Sequence, residues 1–241
     1  MPESVFFVVA VFLVALLYAS VGHGGASGYL AVMSLFAVES LILRPTALSL
    51  NILVSALGTY AFFRAGFFRA RLFWPLALAS IPFAWLGGSL EIDEALFRKL
   101  LGVALLIALI RLLFPFSDEE ESRSAPLWAL IPAGILMGFV SGLIGVGGGI
   151  FLTPLVIFTR WAPAKTAAAI SAPFIFLNSI AGLLGLQPAA SELHPDMLLL
   201  ILAVVLAGFA GSFWGSRIAP PKHIRAALAG VLGFAALKLF L

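Results

Sequence analysis

The 241-residue chain contains no cysteine and few charged residues. Without cysteine it can form no disulfide, no thiolate metal site and no lipid anchor on sulfur. Aspartate, glutamate, lysine and arginine make up 10% of the residues, against roughly a quarter in an ordinary soluble domain. Hydrophobic residues reach 62%, and the mean hydropathy is +1.14. So few charges cannot cover a soluble globule of this size, which excludes a soluble enzyme, a disordered chain and a nucleic-acid-binding protein. The composition predicts an all-α integral membrane protein.

Acidic side chains are also absent from the interiors of the apolar runs. All 11 aspartates and glutamates lie at the ends of those runs or between them. Buried carboxylates usually mark the pathways of cations and protons in membranes, so we expect neither a metal site nor a cofactor. No Ser/His/acid group lies within an apolar run, and the sequence therefore predicts that the chain is not an enzyme.

Ten apolar runs follow one another along the chain, and a membrane-spanning helix needs about 20 apolar residues. The predicted segments are 4–20, 28–38, 46–63, 72–90, 96–114, 127–143, 150–159, 166–186, 197–216 and 224–241. The runs at 28–38 and 150–159 are too short to cross a bilayer comfortably. Each is expected either to cross or to return beside the preceding run as a re-entrant hairpin.

The two halves of the chain resemble each other. Residues 22–26 (GHGGA) match residues 145–149 (GVGGG) at a shift of 123, and a Ser-x-x-Gly pattern at 55–58 recurs at 179–182 at a shift of 124. Glycine-rich breaks in register indicate an internal duplication. We predict a first transmembrane repeat over 1–116, an acidic linker over 117–125 and a second transmembrane repeat over 126–241.

The basic residues change sides between the halves. Arg64, Arg69 and Arg71 lie between the third and fourth runs, whereas the equivalent loop of the second half carries Glu192 and Asp196. An odd number of segments inverts the second copy, so we predict two inverted repeats of five segments each. Because lysine and arginine mark cytoplasmic loops, the linker is expected in the cytoplasm and both termini outside, in the inner membrane of a bacterium.

The two glycine clusters are the predicted binding site. Transporters built from inverted repeats bind their substrates near the midplane, where helices are broken. Successive glycines can aim several N–H groups at one point, and the start of the next helix adds a positive dipole end, so the site favours an anion. The glycines concerned are Gly22, Gly24, Gly25, Gly145, Gly147, Gly148 and Gly149. Close helix packing is their alternative role.

Polar side chains beside the clusters are expected to contact the substrate. The candidates are Ser27, Asn51, Ser55, Thr153, Ser171 and Asn178. His23 is the only histidine predicted at membrane depth, and it is a structural residue, an anion donor or a group that couples transport to a proton. Arg44 and Lys165 precede the third run of their repeats, and we interpret them as vestibule or gating residues or as anchors at the membrane surface.

Residues 142–149 (GLIGVGGG), followed by Thr153 and Pro154, resemble the TauE/SafE sulfite exporter family, also called the TSUP anion permeases, and residues 165–169 (KTAAA) support this. The resemblance covers almost the whole chain. It implies export or import of a small sulfur-containing or organic anion, such as sulfite, thiosulfate or sulfoacetate. The first half departs from the pattern because His23 interrupts its glycine cluster and no proline matches Pro154, so the two halves of the site are expected to differ.

The sequence thus predicts a permease or exporter for a small anion that works by alternating access in the lipid bilayer. Proton and sodium both remain open as coupling ions, and so does the oligomeric state. Two alternatives also stay open, a channel-like pore for small solutes and a membrane assembly subunit that transports nothing.

Overall fold

A computed structural model describes residues 2–113, 123–186 and 193–215, together with Gly233, Ala236 and Leu237. Within these ranges all regular secondary structure is helical. The elements are α1 (Pro2–Ser20), α2 (Ala26–Leu35), α3 (Ser40–Arg64), α4 (Ala70–Ser89), α5 (Glu94–Leu113), α6 (Leu127–Ile144), α7 (Gly149–Phe158), α8 (Ala164–Gly185) and α9 (Met197–Gly215). Five of them, α3, α4, α6, α8 and α9, are long and apolar enough to cross a membrane. The predicted class, an all-α integral membrane protein, is confirmed. The predicted tenth segment and most of the linker lie outside the described residues.

Helix α3 begins earlier than the hydropathy predicts. The apolar run starts at residue 46 because Arg44 and Pro45 interrupt it, whereas the helix starts at Ser40 and contains both residues. A proline is tolerated inside a membrane helix when neighbouring groups satisfy the freed backbone. The Arg44 guanidinium finds carbonyl oxygens on α4 and α6, so its charge does not end the helix.

The short helices α2 and α7 return beside the helices that precede them. The ring of Phe7, near the start of α1, lies 5.2 Å from the ring of Phe36, just after α2. In the second half the Arg123 N–H donates to the Arg160 carbonyl at 2.6 Å, which joins the residues before α6 and after α7. Helices α1–α2 and α6–α7 are therefore two hairpins, each with its turn at a glycine cluster.

The two hairpins open at opposite ends of the molecule. At one end the His194 N–H donates to Thr46 Oγ1 at 3.0 Å, and Phe7 lies 4.9 Å from the His194 ring. At the other end Lys165 Nζ lies 5.3 Å from the centre of the Phe67 ring. We call these the Thr46 end and the Lys165 end. The first hairpin opens at the Thr46 end, the second opens at the Lys165 end, and their turns meet between α3 and α8.

The hairpins also share their backbone conformation. Helices α2 and α7 have ten residues each and left-handed glycines at their N-caps, with φ 99° at Gly25 and 84° at Gly148. Past their C-termini, Ala37 and Arg160 have φ values of 55° and 57°. Both pairs are separated by 123 residues. The helix contacts show the same correspondence, in which α6, α8 and α9 of the second half match α1, α3 and α4 of the first. The contact of α1 with α9 matches that of α6 with α4, and the contact of α3 with α9 matches that of α8 with α4.

Glycines bring helices α4, α6 and α8 into backbone contact. Gly138 lies against the Ser80 carbonyl, and Gly88 lies against the Gly182 carbonyl, so a Cβ atom at either glycine would collide with backbone. Such contacts are the usual way in which membrane helices associate, because lipid provides no hydrophobic drive between them. Close packing fixes the position of α8, one of the two helices beside the glycine turns, relative to α4 and α6.

Candidate anion site between the glycine turns

The two glycine turns enclose a small cavity at the centre of the molecule. Its volume is about 10 Å³, room for roughly one water molecule. The lining residues are Tyr18, His23, Gly24, Gly25, Ala26, Ser27, Asn51, Val146, Gly149, Ile150 and Ile175. Both hairpins and both central helices contribute to this wall, and it is closed in the present conformation.

Two helix N-termini converge on the cavity. Ala26 and Gly149 are the first residues of α2 and α7, and both line the wall. Each helix follows a left-handed glycine that provides no side-chain cap. The first N–H groups and the dipole of a helix make its N-terminus an anion site, so the arrangement favours a negatively charged ligand.

His23 links the first turn to the second hairpin. Its Nδ1 atom lies 3.0 Å from the Val21 carbonyl oxygen, and its Nε2 atom lies 3.0 Å from the Gly149 carbonyl oxygen. Thr153 Oγ1 is 3.1 Å from the same Nε2 atom and 2.8 Å from Ser171 Oγ. The imidazole is 2% exposed. It therefore belongs to a buried polar chain that runs from α1 to α8.

Asn51 joins both halves at the cavity wall. Its Oδ1 atom accepts the Ala26 N–H at the start of α2 at 3.2 Å, and its Nδ2 atom donates to Ser179 Oγ on α8 at 2.8 Å. Gly24 and Gly147 both pack against this amide, which leaves no room for a Cβ atom at either position. The glycines let the two turns close around one side chain.

Two tyrosines contact residues of the cavity wall, and Tyr18 is itself part of that wall. The Ser27 hydroxyl donates to Tyr18 Oη at 3.1 Å, and the Tyr29 hydroxyl donates to the Gly24 carbonyl at 2.7 Å. Sequence reasoning missed both tyrosines because tyrosine in a membrane protein usually lies at the lipid interface. Their positions within a few residues of a glycine cluster were the available signal.

Other predicted residues lie behind the cavity wall. Thr153 and Ser171 do not line the cavity and are connected to it by the hydrogen-bonded chain that begins at His23. Ser55 donates to the Ile52 carbonyl of its own helix at 3.2 Å, and Asn178 donates to Ser80 Oγ at 3.0 Å. The remaining glycines of the clusters are packing positions: Gly22 lies against Ala168, Gly145 against Arg44, and Gly148 against Phe174 and Ser141.

The predicted vestibule residues have different surroundings. Arg44 Nη2 donates to the Gly88 carbonyl at 3.0 Å and to the Gly142 carbonyl at 3.1 Å, so its charge lies at the C-terminal ends of α4 and α6, where a cation is favoured. Lys165 is exposed and lies over Phe67. Neither residue lines the cavity.

The two halves supply chemically different walls. At the shift of 123 residues that relates the clusters, His23 corresponds to Val146 and Ser27 to Ile150. At the shift of 124, Asn51 corresponds to Ile175. The first half thus contributes polar groups, and the second half mainly aliphatic side chains. Within the described ranges no group of three His, Cys, Asp or Glu side chains is placed to hold a metal ion.

Comparison with known proteins shows the family to which this chain belongs. Residues 7–239 match the family described as Sulfite exporter TauE/SafE. A probable membrane transporter protein of Sinorhizobium fredii is 35% identical over 98% of both chains. Another, from Methanocaldococcus jannaschii, is 31% identical over 69% of this chain and 66% of its own. No solved structure gives a significant match. The chain belongs to the sulfite exporter TauE/SafE family, and it is a multi-pass membrane transporter and not an enzyme.

Proposed function

We propose that the protein carries a small sulfur-containing or organic anion across the membrane by alternating access and binds it between the two glycine turns. The convergence of the α2 and α7 N-termini on one enclosed cavity is the observation that carries this proposal. Sulfite, thiosulfate and sulfoacetate are the substrates that the family suggests. The cavity has room for about one water molecule, so the hairpins have to separate before any of these anions can enter.

Two inverted repeats, over 1–116 and 126–241, would provide the alternation. Each hairpin opens at its own end of the molecule, and the helix contacts exchange when the halves are exchanged. Movement of the first hairpin would open the cavity to the Thr46 end, and movement of the second would open it to the Lys165 end. Inverted repeats with broken helices commonly work in this way.

The distribution of basic residues supports an orientation in the inner membrane. Six of them lie in the loops and helix ends of the Lys165 end: Arg64, Arg69, Arg71, Arg123, Arg160 and Lys165. The Thr46 end has three, namely Arg44, which pairs with carbonyl groups, Arg98, which pairs with Glu94, and Lys99. By the positive-inside rule the Lys165 end faces the cytoplasm, and both termini and the Thr46 end lie outside.

Anion binding is tested with the purified protein and a panel of sulfite, thiosulfate and sulfoacetate. At least one of these should raise the thermal unfolding temperature. Asn51→Ala should abolish that rise or weaken the affinity at least tenfold, about 1.4 kcal/mol, because it removes a wall residue that holds the α2 N-terminus. Asn178→Ala is the matched control. It also loses buried hydrogen bonds, yet it should keep the response to the anion.

Transport is tested by counterflow in proteoliposomes with the anion that binds. A carrier accelerates uptake of labelled anion when unlabelled anion is present inside, whereas flux through a pore does not respond to the trans anion. Accelerated uptake that is lost in Asn51→Ala and retained in Asn178→Ala supports the proposal. Flux that ignores the trans anion favours a pore, and binding without any flux favours an assembly role.

A further inference from the structure

Both ring nitrogens of His23 face backbone carbonyl oxygens. The distances are 3.0 Å from Nδ1 to the Val21 oxygen and 3.0 Å from Nε2 to the Gly149 oxygen. A carbonyl oxygen only accepts hydrogen bonds, and a neutral imidazole has a single N–H. A neutral His23 that donates from Nδ1 to Val21 can accept the Thr153 hydroxyl at Nε2, but its Nε2 lone pair then faces the Gly149 carbonyl oxygen at 3.0 Å. An imidazolium donates to both carbonyls, and Thr153 can then donate to Ser171.

We infer that His23 holds a proton in the closed conformation and that this proton crosses the membrane together with the anion. The inference rests on the proposed function for its transport step, whereas the protonation is inferred from the two carbonyl contacts of the imidazole. The bond to Gly149 is the important one because it joins the first hairpin to the second. The proton thereby stabilises the state in which the two turns have closed around the cavity.

The groups around His23 are polar hydroxyl and amide groups from every neighbouring element. The Tyr18 ring on α1 lies 6.4 Å from the imidazole ring. Tyr29 on α2 donates to Gly24, and Asn51 on α3 lines the same cavity. Thr153 on α7 and Ser171 on α8 follow in the hydrogen-bonded chain. The nearby cation on the second turn is Arg44, against Gly145. The two tyrosines are thus the other titratable groups facing this part of the cavity.

Opening the molecule would release the proton. When either hairpin moves away, the distance from Nε2 to the Gly149 oxygen grows and water reaches the imidazole, which then equilibrates with the solution on that side. Proton and anion attract each other in the low-dielectric interior, so each favours closure around the other. Because the second half has Val146 at the equivalent position, one such proton is carried in each cycle.

The protonation state can be measured without any substrate. The chain has three histidines, so the double variant His194→Gln/His223→Gln leaves His23 as the sole signal in the spectrum of protein with isotope-labelled histidine nitrogens. We expect both ring nitrogens of His23 to carry a proton under the conditions of the transport assay. A neutral tautomer under those conditions would overturn the inference and leave the proposed function intact.

The coupling is measured in proteoliposomes that contain a pH-sensitive dye, with thiosulfate as the first probe because its charge does not change over the assay range. We expect the wild type to move one proton with each anion. His23→Gln should exchange thiosulfate without proton movement and with a flat pH profile, while Asn178→Ala should keep the proton movement of the wild type. The same pH profile in His23→Gln and wild type would refute the coupling.

Absence of proton movement in a wild type that transports the anion would also refute the coupling. If the wild type moves neither thiosulfate nor sulfite nor sulfoacetate, the proposed function fails, and the nitrogen spectrum then decides the protonation of His23 separately. The wild-type flux and that spectrum remain decisive even if His23→Gln does not fold.

Discussion

Helix ends inside this molecule leave backbone carbonyl groups that polar side chains bind. Arg44 donates to carbonyls at the ends of α4 and α6, Tyr29 donates to Gly24, and His23 contacts Val21 and Gly149. Lipid offers no hydrogen bonds to such groups, so each broken helix needs a donor nearby. The first residues of α2 and α7 line the cavity, so the same breaks place helix N-termini at the cavity and carbonyl groups beside these donors.

His194 should make the stability of the fold depend on pH. Burial lowers the pKa of His194, and the neighbouring charge of Asp196 opposes part of that shift. The unfolded chain therefore binds the proton at a higher pH than the folded chain does, and stability rises with pH in the interval between the two pKa values. Its contribution is complete above the unfolded pKa, about 6.5, and is lost as the pH falls below it.

This dependence is measured by thermal unfolding of the wild type and His194→Gln between about pH 8 and pH 5, on either side of a free imidazole pKa. The wild type should lose more stability than the variant as the pH falls. Asp196→Asn is the informative companion, since removal of its charge should deepen the loss. Parallel curves for wild type and His194→Gln would show that this imidazole keeps the same pKa on folding.

At the residue scale, the sequence pattern predicted which segments meet but not which face each side chain takes. Residues placed by sequence at the cavity and found there include His23, Asn51 and Ser27. Asn178 follows the cavity-lining Ile175 by three positions, which turns it about 60° around a helix of 3.6 residues per turn. It therefore contacts Ser80 on α4 instead. Hydropathy cannot fix such a rotation, because every face of α8 is apolar enough to be buried.

At the scale of helices, packing depends on which glycines touch backbone. A Cβ atom on Gly88 would collide with the Gly182 carbonyl, whereas a Cβ atom on Gly182 would meet its nearest neighbour, Gly142 Cα, at 3.4 Å, which is ordinary contact. We therefore expect Gly88→Ala to destabilise the protein by about 1–3 kcal/mol, the usual cost of overpacking. Gly182→Ala should be neutral or slightly stabilising, because alanine is the better helix former.

Thermal unfolding in detergent, with size-exclusion profiles to check folding, compares these two variants. They suit a direct comparison because Gly88 packs against Gly182, yet only the methyl group added at Gly88 would meet the partner's backbone. Equal unfolding temperatures for the two would mean that the helices move apart readily, and that the backbone contact does not determine their spacing.

The extent of the helices was predictable, but their direction was not. Predicted runs such as 127–143 and 197–216 coincide closely with α6 and α9, because the length of an apolar run can be counted directly from the sequence. Whether 28–38 and 150–159 cross or return was left open, since hydropathy has no direction. The answer lies in tertiary contacts, such as the ring of Phe7 on that of Phe36, and these depend on the left-handed glycine turns between the helices.

At the scale of the whole molecule, the two ends differ chemically, whereas both hairpins line the same central cavity. The Lys165 end gathers six basic residues, and the Thr46 end is closed by contacts of Phe7, Thr46 and His194. An anion that reaches the cavity from either end meets the same pair of helix N-termini. On the proposed mechanism, selectivity would be set at the centre, whereas the orientation would be set by the loops.

The orientation can be tested in cells because the natural chain has no cysteine. A single cysteine replacing Ser124, beside Arg123 at the Lys165 end, should be protected from a membrane-impermeant maleimide added outside and should react after the cells are opened. A cysteine replacing Leu193, beside His194 at the Thr46 end, should react in intact cells. Both positions lie outside the helices and away from the cavity, so neither substitution should impair folding. Labelling of both from outside would contradict the opposite placement of the two ends, and a reversed pattern would mean that the basic loops do not determine how this protein inserts.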